Sequence, residues 1–428
     1  MQWLKIISQL RCIVDNLRFS LEKDLIRAQV LLESALKMLP PEEVEKRGMV
    51  TNNLGNVCCS HPGAIPRDLL DRLIENFRKV MRDLPPDRPI RPTLLTSQGD
   101  AFFRRFRENG TPNDLEDAIT SYREALTLNE SMVPDETATN PTPPDHPGRG
   151  EFLINLATAL QLRFTESESP LMEDYDRCVD MFEEATELES SPPTTRIIAA
   201  RRVSEFLWST DIERASKVLQ TAVELLPSTC LYNLTRTDQQ HSLSLFSGLA
   251  PDGAAMALEA GKLPSEAAVL LDAGRGIIMG RRLDIRDELE GLPHELARRY
   301  KELQELLDPP FQLQQHPLSG FDKYRSTDLR HAAALEMEDL KYKIRKHPGF
   351  SQFALPLDAQ SLMQQAKYGE IVIINVSQWC SDALIITTSE IIHEPLDLLE
   401  FFPLKSRVEQ FRNCLRNIQT LSGHQLYT

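Results

Sequence analysis

The chain has little of what marks several large classes of protein. Its 428 residues include only 7 cysteines, an odd number without framework spacing, so we expect reduced thiols and a cytoplasmic location. Lysine and arginine number 48 against 63 aspartate and glutamate, and the net charge of −15 disfavours nucleic-acid and anionic-membrane binding. Apolar runs such as 371–376 are far shorter than the ~18 residues of a membrane span. The N-terminal stretch 1–14 carries charges and precedes no small-residue cleavage site, so we expect no signal peptide.

The sequence also lacks the short motifs of cofactor and metal chemistry. It has no glycine-rich phosphate loop and no Gly-x-Ser-x-Gly turn for a nucleophilic serine. Cys58, Cys59 and His61 lie close together but have no second ligand pair, so we predict no zinc site. The arginines between Arg275 and Arg286 are flanked by acidic residues, which favours a solvated helix face over a phosphate site. We therefore predict neither a cofactor nor a metal.

What the sequence does contain is a repeated helical pattern. In most copies a small residue is followed by a large apolar residue four positions later and a small residue three after that. These spacings place all three residues on one face of a helix, where small residues let a neighbouring helix approach closely. A chance series of amphipathic helices is the alternative. The five copies are Ala28, Leu32 and Ala35; Leu73, Phe77 and Val80; Ala118, Tyr122 and Ala125; Cys178, Phe182 and Ala185; and Ala215, Leu219 and Ala222.

The pattern resembles the tetratricopeptide repeat, a helix–turn–helix unit, although the copies here are spaced more widely than the ~34-residue standard. Three copies follow a first helix with its own small residue, at Gly55, Gly99 and Ala157. The resemblance implies a superhelix whose concave wall is formed by the first helix of each pair and binds a protein or peptide. The alternative for each groove residue is an ordinary solvated helix face. The groove residues that the resemblance implies are Asn52, Asn56, Asp100, Arg104 and Thr158.

Beyond the repeats the periodicity changes from helical to extended. Apolar stripes predict helices at 287–307 and 327–344, and the β-branched run 371–376 predicts a strand that is buried on both faces. Two further strands are predicted at 383–388 and 391–396, and then a helix whose apolar residues run from Leu404 to Ile418. This order predicts an α/β segment after a helical array.

The order of these elements resembles the CHAT proteins, in which a caspase-like domain follows tetratricopeptide repeats, particularly those of filamentous fungi. The matching stretches are Leu270-Leu-Asp-Ala-Gly-Arg-Gly276, Pro348-Gly-Phe350, Gly369-Glu-Ile-Val-Ile-Ile-Asn-Val-Ser377 and Ser381-Asp-Ala-Leu-Ile385. The resemblance covers nearly all of the chain after about residue 50. It implies a cysteine peptidase in which a histidine followed by glycine activates a cysteine near the sequence Ala-Cys.

The residues needed for that chemistry are missing from their expected places. No histidine of the chain is followed by glycine. We expect Cys380 in a hairpin, Cys414 within a helix and His393 on an early strand, so these residues and His424 have structural roles. We therefore predict no catalytic residue, and we expect a CHAT domain that is truncated and inactive as this chain stands.

The sequence thus predicts a mostly α protein in three parts. Residues 1–235 form a tetratricopeptide-like α-solenoid, 236–349 a helical bridge, and 350–428 an incomplete caspase-like α/β segment. The predicted function is that of a protein-binding scaffold, related to a peptidase in a complete form. The alternative is a non-enzymatic adaptor whose C-terminal segment pairs with a partner protein. The expected partner is a protein or peptide in the repeat groove, not nucleic acid or a membrane.

Overall fold

We describe a computed structural model of the chain. It covers residues 22–425 except 60–62, 64, 132–147, 230–242, 276–288, 290, 308–331, 334, 338, 352 and 355–356. Most of the arginine cluster between Arg275 and Arg286 lies outside these residues. The chain divides into two compact units, Met1–Ala199 and Ala200–Thr428.

The first unit is built of helices that pack consecutively. Each helix contacts the next along the chain from α1 to α7, and the first helices α2, α4 and α6 also contact one another in order. This arrangement confirms the prediction of a mostly α, solenoid-like array. The helices are α1 Glu22–Met38, α2 Val44–Cys59, α3 Arg67–Asp83, α4 Arg91–Asn109, α5 Pro112–Ser131, α6 Arg149–Glu166, α7 Met172–Glu187 and α8 Pro193–Leu207, and the boundary between the units falls within α8.

The repeated residues are core residues: four copies lie in the first unit, and the fifth, from Ala215 to Ala222, lies in the second. All fifteen positions of the five predicted copies are buried, with at most 4% of any residue exposed. Glycines of the first helices accommodate the large residue of the second: a Cβ on Gly55 would lie 3.2 Å from the Phe77 ring, and one on Gly99 would lie 2.5 Å from the Tyr122 ring. The small residue therefore sets how closely the helices of a pair approach.

An arginine near the start of one helix repeatedly donates hydrogen bonds to carbonyls at the end of the preceding helix. The Arg47 guanidinium donates to the carbonyls of Leu36 and Leu39, at 3.1 and 2.8 Å. Arg91 does the same for the end of α3, with bonds of 3.2 and 3.1 Å to two carbonyls. Arg196 donates to the Thr186 carbonyl at the end of α7, at 2.8 Å. These bonds satisfy carbonyls that a helix end leaves without partners, and they are present at three junctions.

The second unit continues with helices and then a sheet. Helices α9 and α10 pack together, and α11 contacts both. Farther along, α12 and the helical residues 332–333, 335–337 and 339–345 share a core in which the rings of Tyr300 and Phe353 meet edge to face at 5.3 Å. The helices are α9 Ile212–Thr229, α10 Leu249–Glu259, α11 Pro264–Arg275, α12 His294–Leu307, α13 Ala359–Gln365 and, after the sheet, α14 Phe401–Gln425.

The sheet has three antiparallel strands in the order β1-β2-β3, at Ile371–Val376, Ser381–Ile386 and Ile391–Pro395. The register sets Ile373 opposite Leu384, and Leu384 opposite His393. Successive side chains alternate between faces, and this inner face is the more buried one. On the other face Val372 is 57% exposed. The prediction that 371–376 is buried on both faces is therefore wrong, because the described residues cover only one face of the sheet.

The inner face rests on the helix pair before it. Strand β1 contacts α10 and β3 contacts α11. The Asn375 amide donates to the Pro251 carbonyl at 2.9 Å, and the Ser377 hydroxyl donates to the Asp252 carboxylate at 2.7 Å. These bonds join the start of α10 to the end of β1. They tie the α/β segment to the helical one within the same unit.

Candidate functional site

Polar side chains on the first helices α2, α4 and α6 form a connected row. The Asn52 carbonyl oxygen accepts a hydrogen bond from the Ser97 hydroxyl at 2.6 Å. On the next turn of α4, Asp100 accepts from the Tyr122 hydroxyl at 2.7 Å and from the Asn155 amide at 3.4 Å. Since each contact crosses from one first helix to another or to its paired helix, the row fixes the spacing of the wall on which the groove residues were predicted.

Asp100 is the electrostatically unusual member of this row. Burial raises the pKa of its carboxyl from an ordinary 3.8 to about 6, and the negative charge of Glu151 adds to the rise. The hydrogen bond from Tyr122 lowers the pKa and offsets part of that effect. Both donors reach the same oxygen of Asp100. A carboxylate held in this way accepts hydrogen bonds strongly, which suits recognition of an N–H group.

Arg104 lies one turn farther along α4. Its guanidinium donates to the Gly63 carbonyl at 2.5 Å and pairs with Glu108 at 2.9 Å. Its Nε is buried and has no hydrogen-bond partner in the described part of the protein. One donor of this guanidinium is therefore unused.

The cysteines beside this row are buried thiols. Burial raises the pKa of Cys58 to about 12, and burial together with Asp100 raises that of Cys59 well above its usual range. His61 lies outside the described residues. Among the residues that are described, no group of three His, Cys, Asp or Glu side chains could hold a metal ion. The elevated pKa values indicate protonated thiols that are not reactive nucleophiles.

The two other groove predictions occupy different settings. Asn56 is exposed on α2, whereas the Thr158 hydroxyl donates to the Ile154 carbonyl of its own helix at 2.7 Å. The structure thus brings Asp100 and Arg104 onto one stretch of α4 and leaves Thr158 bonded within α6. Sequence reasoning missed Asn155. Its signal was its place on the first helix of the third pair, three residues before Thr158.

A second polar cluster lies on the sheet, around Asp382. The Cys380 thiol donates to one oxygen of this carboxylate at 3.0 Å, and His393 Nε2 lies 2.7 Å from the other. Burial and the neighbouring carboxylate raise the pKa of the Cys380 thiol far above its usual range. Cys380 lies in the turn between β1 and β2 as predicted, and His393 on β3. The carboxylate bonds both groups and disfavours the thiolate that a cysteine peptidase requires.

The remaining candidates lie on α14, where Cys414 is exposed within the helix as predicted. His424 is also on this helix, but its side chain is not among those described. No described helix is long and apolar enough to cross a bilayer. No protein-family model and no curated protein matches this chain.

Proposed function

We propose that this protein is a scaffold that binds a segment of another protein along its first helices. The array would be of the tetratricopeptide type, with Asn52, Asn56, Asp100 and Arg104 on the binding wall. The observation that carries the proposal is the Asp100 carboxylate, which has a raised pKa and two hydrogen-bond donors, one of them from the next first helix. A carboxyl group whose surroundings raise its pKa in this way is typical of a functional site.

We further propose that residues 350–428 correspond to the first strands of a CHAT-like domain and that the chain as it stands does not cleave peptides. The Cys380 thiol donates a hydrogen bond to Asp382, and His393 bonds the same carboxylate rather than being placed as the base of the thiol. Both contacts favour a structural role for this cluster.

The adaptor alternative has one observation in its favour. The outer side of the sheet exposes apolar side chains, of which Val372 is the most exposed at 57%. A surface of this kind is a candidate contact for a protein partner. The two proposals are compatible, since the repeats and the sheet lie in different parts of the chain.

Selection from a random peptide library displayed on phage tests the groove proposal. The full chain is the bait, and the selected peptides are then measured against Arg104→Ala and Asp100→Asn. We expect both variants to weaken binding about tenfold or more, because hydrogen bonds to charged groups contribute about 1.5–3 kcal/mol.

Arg177→Ala is the matched control, because Arg177 lies on the second helix α7 with 40% of its side chain exposed and pairs only weakly with Glu173, at 3.6 Å. It should leave binding unchanged. Peptides that bind all variants equally, or that lose affinity only for Arg177→Ala, would overturn the assignment of the wall. Melting temperatures of the variants exclude a folding defect as the cause.

A further inference from the structure

The outer face of the sheet is apolar at its centre and acidic at its margin. Val372, Ile385 and Ile392 lie side by side across the three strands, and Val372 and Ile392 are 57% and 36% exposed. Glu394 stands on the same face, one row away, and Glu390 immediately precedes β3. Both glutamates are exposed. We define the outer face by these five residues.

Helix α14 presents the complementary surface. Its residues Leu404, Val408, Phe411 and Leu415 are spaced 4, 3 and 4 apart and form one stripe. Val408, Phe411 and Leu415 are 41%, 65% and 45% exposed, so no other described element covers the stripe. Lys405 and Arg412 are exposed and flank the stripe on one side, seven residues apart.

The two surfaces match in chemistry, yet in the structure neither covers the other. The connection between them is held in place: the Leu396 amide donates to the Ser381 carbonyl at 2.8 Å, and the Leu399 amide donates to that of Leu396 at 2.9 Å. The helix has 25 residues and is about 37 Å long, against about 20 Å for a strand of six. The helix is therefore nearly twice as long as the strands of its own sheet.

We propose that α14 of a second copy of this chain covers the outer face, and that the exchange is reciprocal. Phe411 and Val408 would pack on Val372 and Ile392, while Lys405 and Arg412 would meet Glu390 and Glu394. A two-fold dimer repeats this contact, so each copy buries both of its exposed apolar surfaces.

Light scattering of the full chain after size-exclusion chromatography, across a dilution series, tests the proposal. We expect a mass of twice 48.7 kDa. Phe411→Asp on the helix and Val372→Asp on the sheet should each yield monomers, with a dissociation constant raised about tenfold or more. Asn413→Asp adds the same charge on the opposite side of α14 and should leave the dimer intact.

Mixing the two monomeric variants provides the sharper test. The helix of the Val372→Asp chain and the sheet of the Phe411→Asp chain are both unaltered, so a reciprocal exchange predicts that the mixture forms heterodimers. If Val372→Asp unfolds the sheet, Glu394→Lys replaces it, and Arg412→Glu in the partner chain should restore the dimer that Glu394→Lys weakens.

Four results would overturn the proposal. A wild-type chain that is monomeric at every concentration excludes the exchange. The same holds for a monomeric chain that binds phosphatidylserine vesicles through α14. Dimers that Phe411→Asp abolishes but Val372→Asp and Glu394→Lys leave intact indicate pairing of two α14 helices. A mixture that stays monomeric shows that no exchange occurs. If the wild type is monomeric and both Phe411→Asp and Val372→Asp have lower melting temperatures than it has, α14 covers the sheet of its own chain.

Discussion

Replacing Asp100 by asparagine should stabilise the protein at neutral and alkaline pH. Asparagine keeps a carbonyl oxygen that can accept from Tyr122 and Asn155. It removes the negative charge that burial and Glu151 oppose. Because the folded-state pKa of Asp100 is raised, the folded protein binds more protons than the unfolded chain between about pH 4 and pH 6. The free energy of unfolding of the wild type therefore falls as the pH rises through that window, and the variant avoids this loss.

The size of the effect follows from the pKa shift. Burial raises the pKa of Asp100 from 3.8 to about 6, by roughly two. Each unit corresponds to about 1.4 kcal/mol, so the variant should gain up to about 3 kcal/mol at pH values above 6. Below about pH 4 the carboxyl is protonated in both states, and the gain should vanish. For a unit of this size, 1 kcal/mol shifts the melting temperature by about 2–4 °C.

Thermal and urea unfolding of wild type and Asp100→Asn, measured at about pH 8 and about pH 4, tests this reasoning. Asp114→Asn serves as the control of opposite sign, since Asp114 receives two hydrogen bonds from Arg105, at 2.9 and 2.6 Å. It should lose about 2 kcal/mol. An Asp100→Asn variant that is less stable than the wild type at about pH 8, or whose gain is the same at both pH values, would refute the pKa assignment.

Two further substitutions test the packing of the helices and the attachment of the sheet. Gly99→Ala should lower the free energy of unfolding in urea by about 1–3 kcal/mol, because its Cβ would lie 2.5 Å from the Tyr122 ring. Gly55→Ala is the control and should be nearly neutral, because its Cβ would lie 3.2 Å from the Phe77 ring. Equal losses in the two variants would contradict this account of the packing. Ser377→Ala should lower the free energy of unfolding by about 1–3 kcal/mol, because it removes the hydroxyl that donates to the Asp252 carboxylate at 2.7 Å. Ser389→Ala, at an exposed serine, is the control. A neutral Ser377→Ala would show that the bond between β1 and α10 contributes little to stability.

The repeats were predictable because their information is local. Residues such as Phe77, Tyr122 and Phe182 recur at helical spacing between small residues, and burial follows from that spacing whatever the rest of the chain does. What spacing does not supply is the partner of each polar residue. Asp100 and Asn155 are 55 residues apart, and no period links them.

The strands show a different limit. In the run 371–376 every residue except Asn375 is apolar, so there is no alternation to indicate which face is buried. A continuous apolar run is typical of a strand covered on both faces, and that is what the sequence predicted. The structure separates the faces through neighbours that the run does not encode: α10 and α11 cover the inner face, and no described element covers Val372.

The Asn-Val-Ser stretch at 375–377 belongs both to the family resemblance and to the attachment of the sheet. In the sequence it contributed to a family resemblance, whereas in the structure Asn375 and Ser377 are the residues that bond α10, at Pro251 and Asp252. Both lie where β1 meets its turn, and next to them the rings of Trp379 and Trp208 stack at 4.7 Å. Burial raises the pKa of Asp252, so its carboxylate depends on the hydroxyl of Ser377 for compensation. A sheet of only three strands is marginal by itself. Anchoring its inner face to a helix pair gives it a support that no described element gives the outer face.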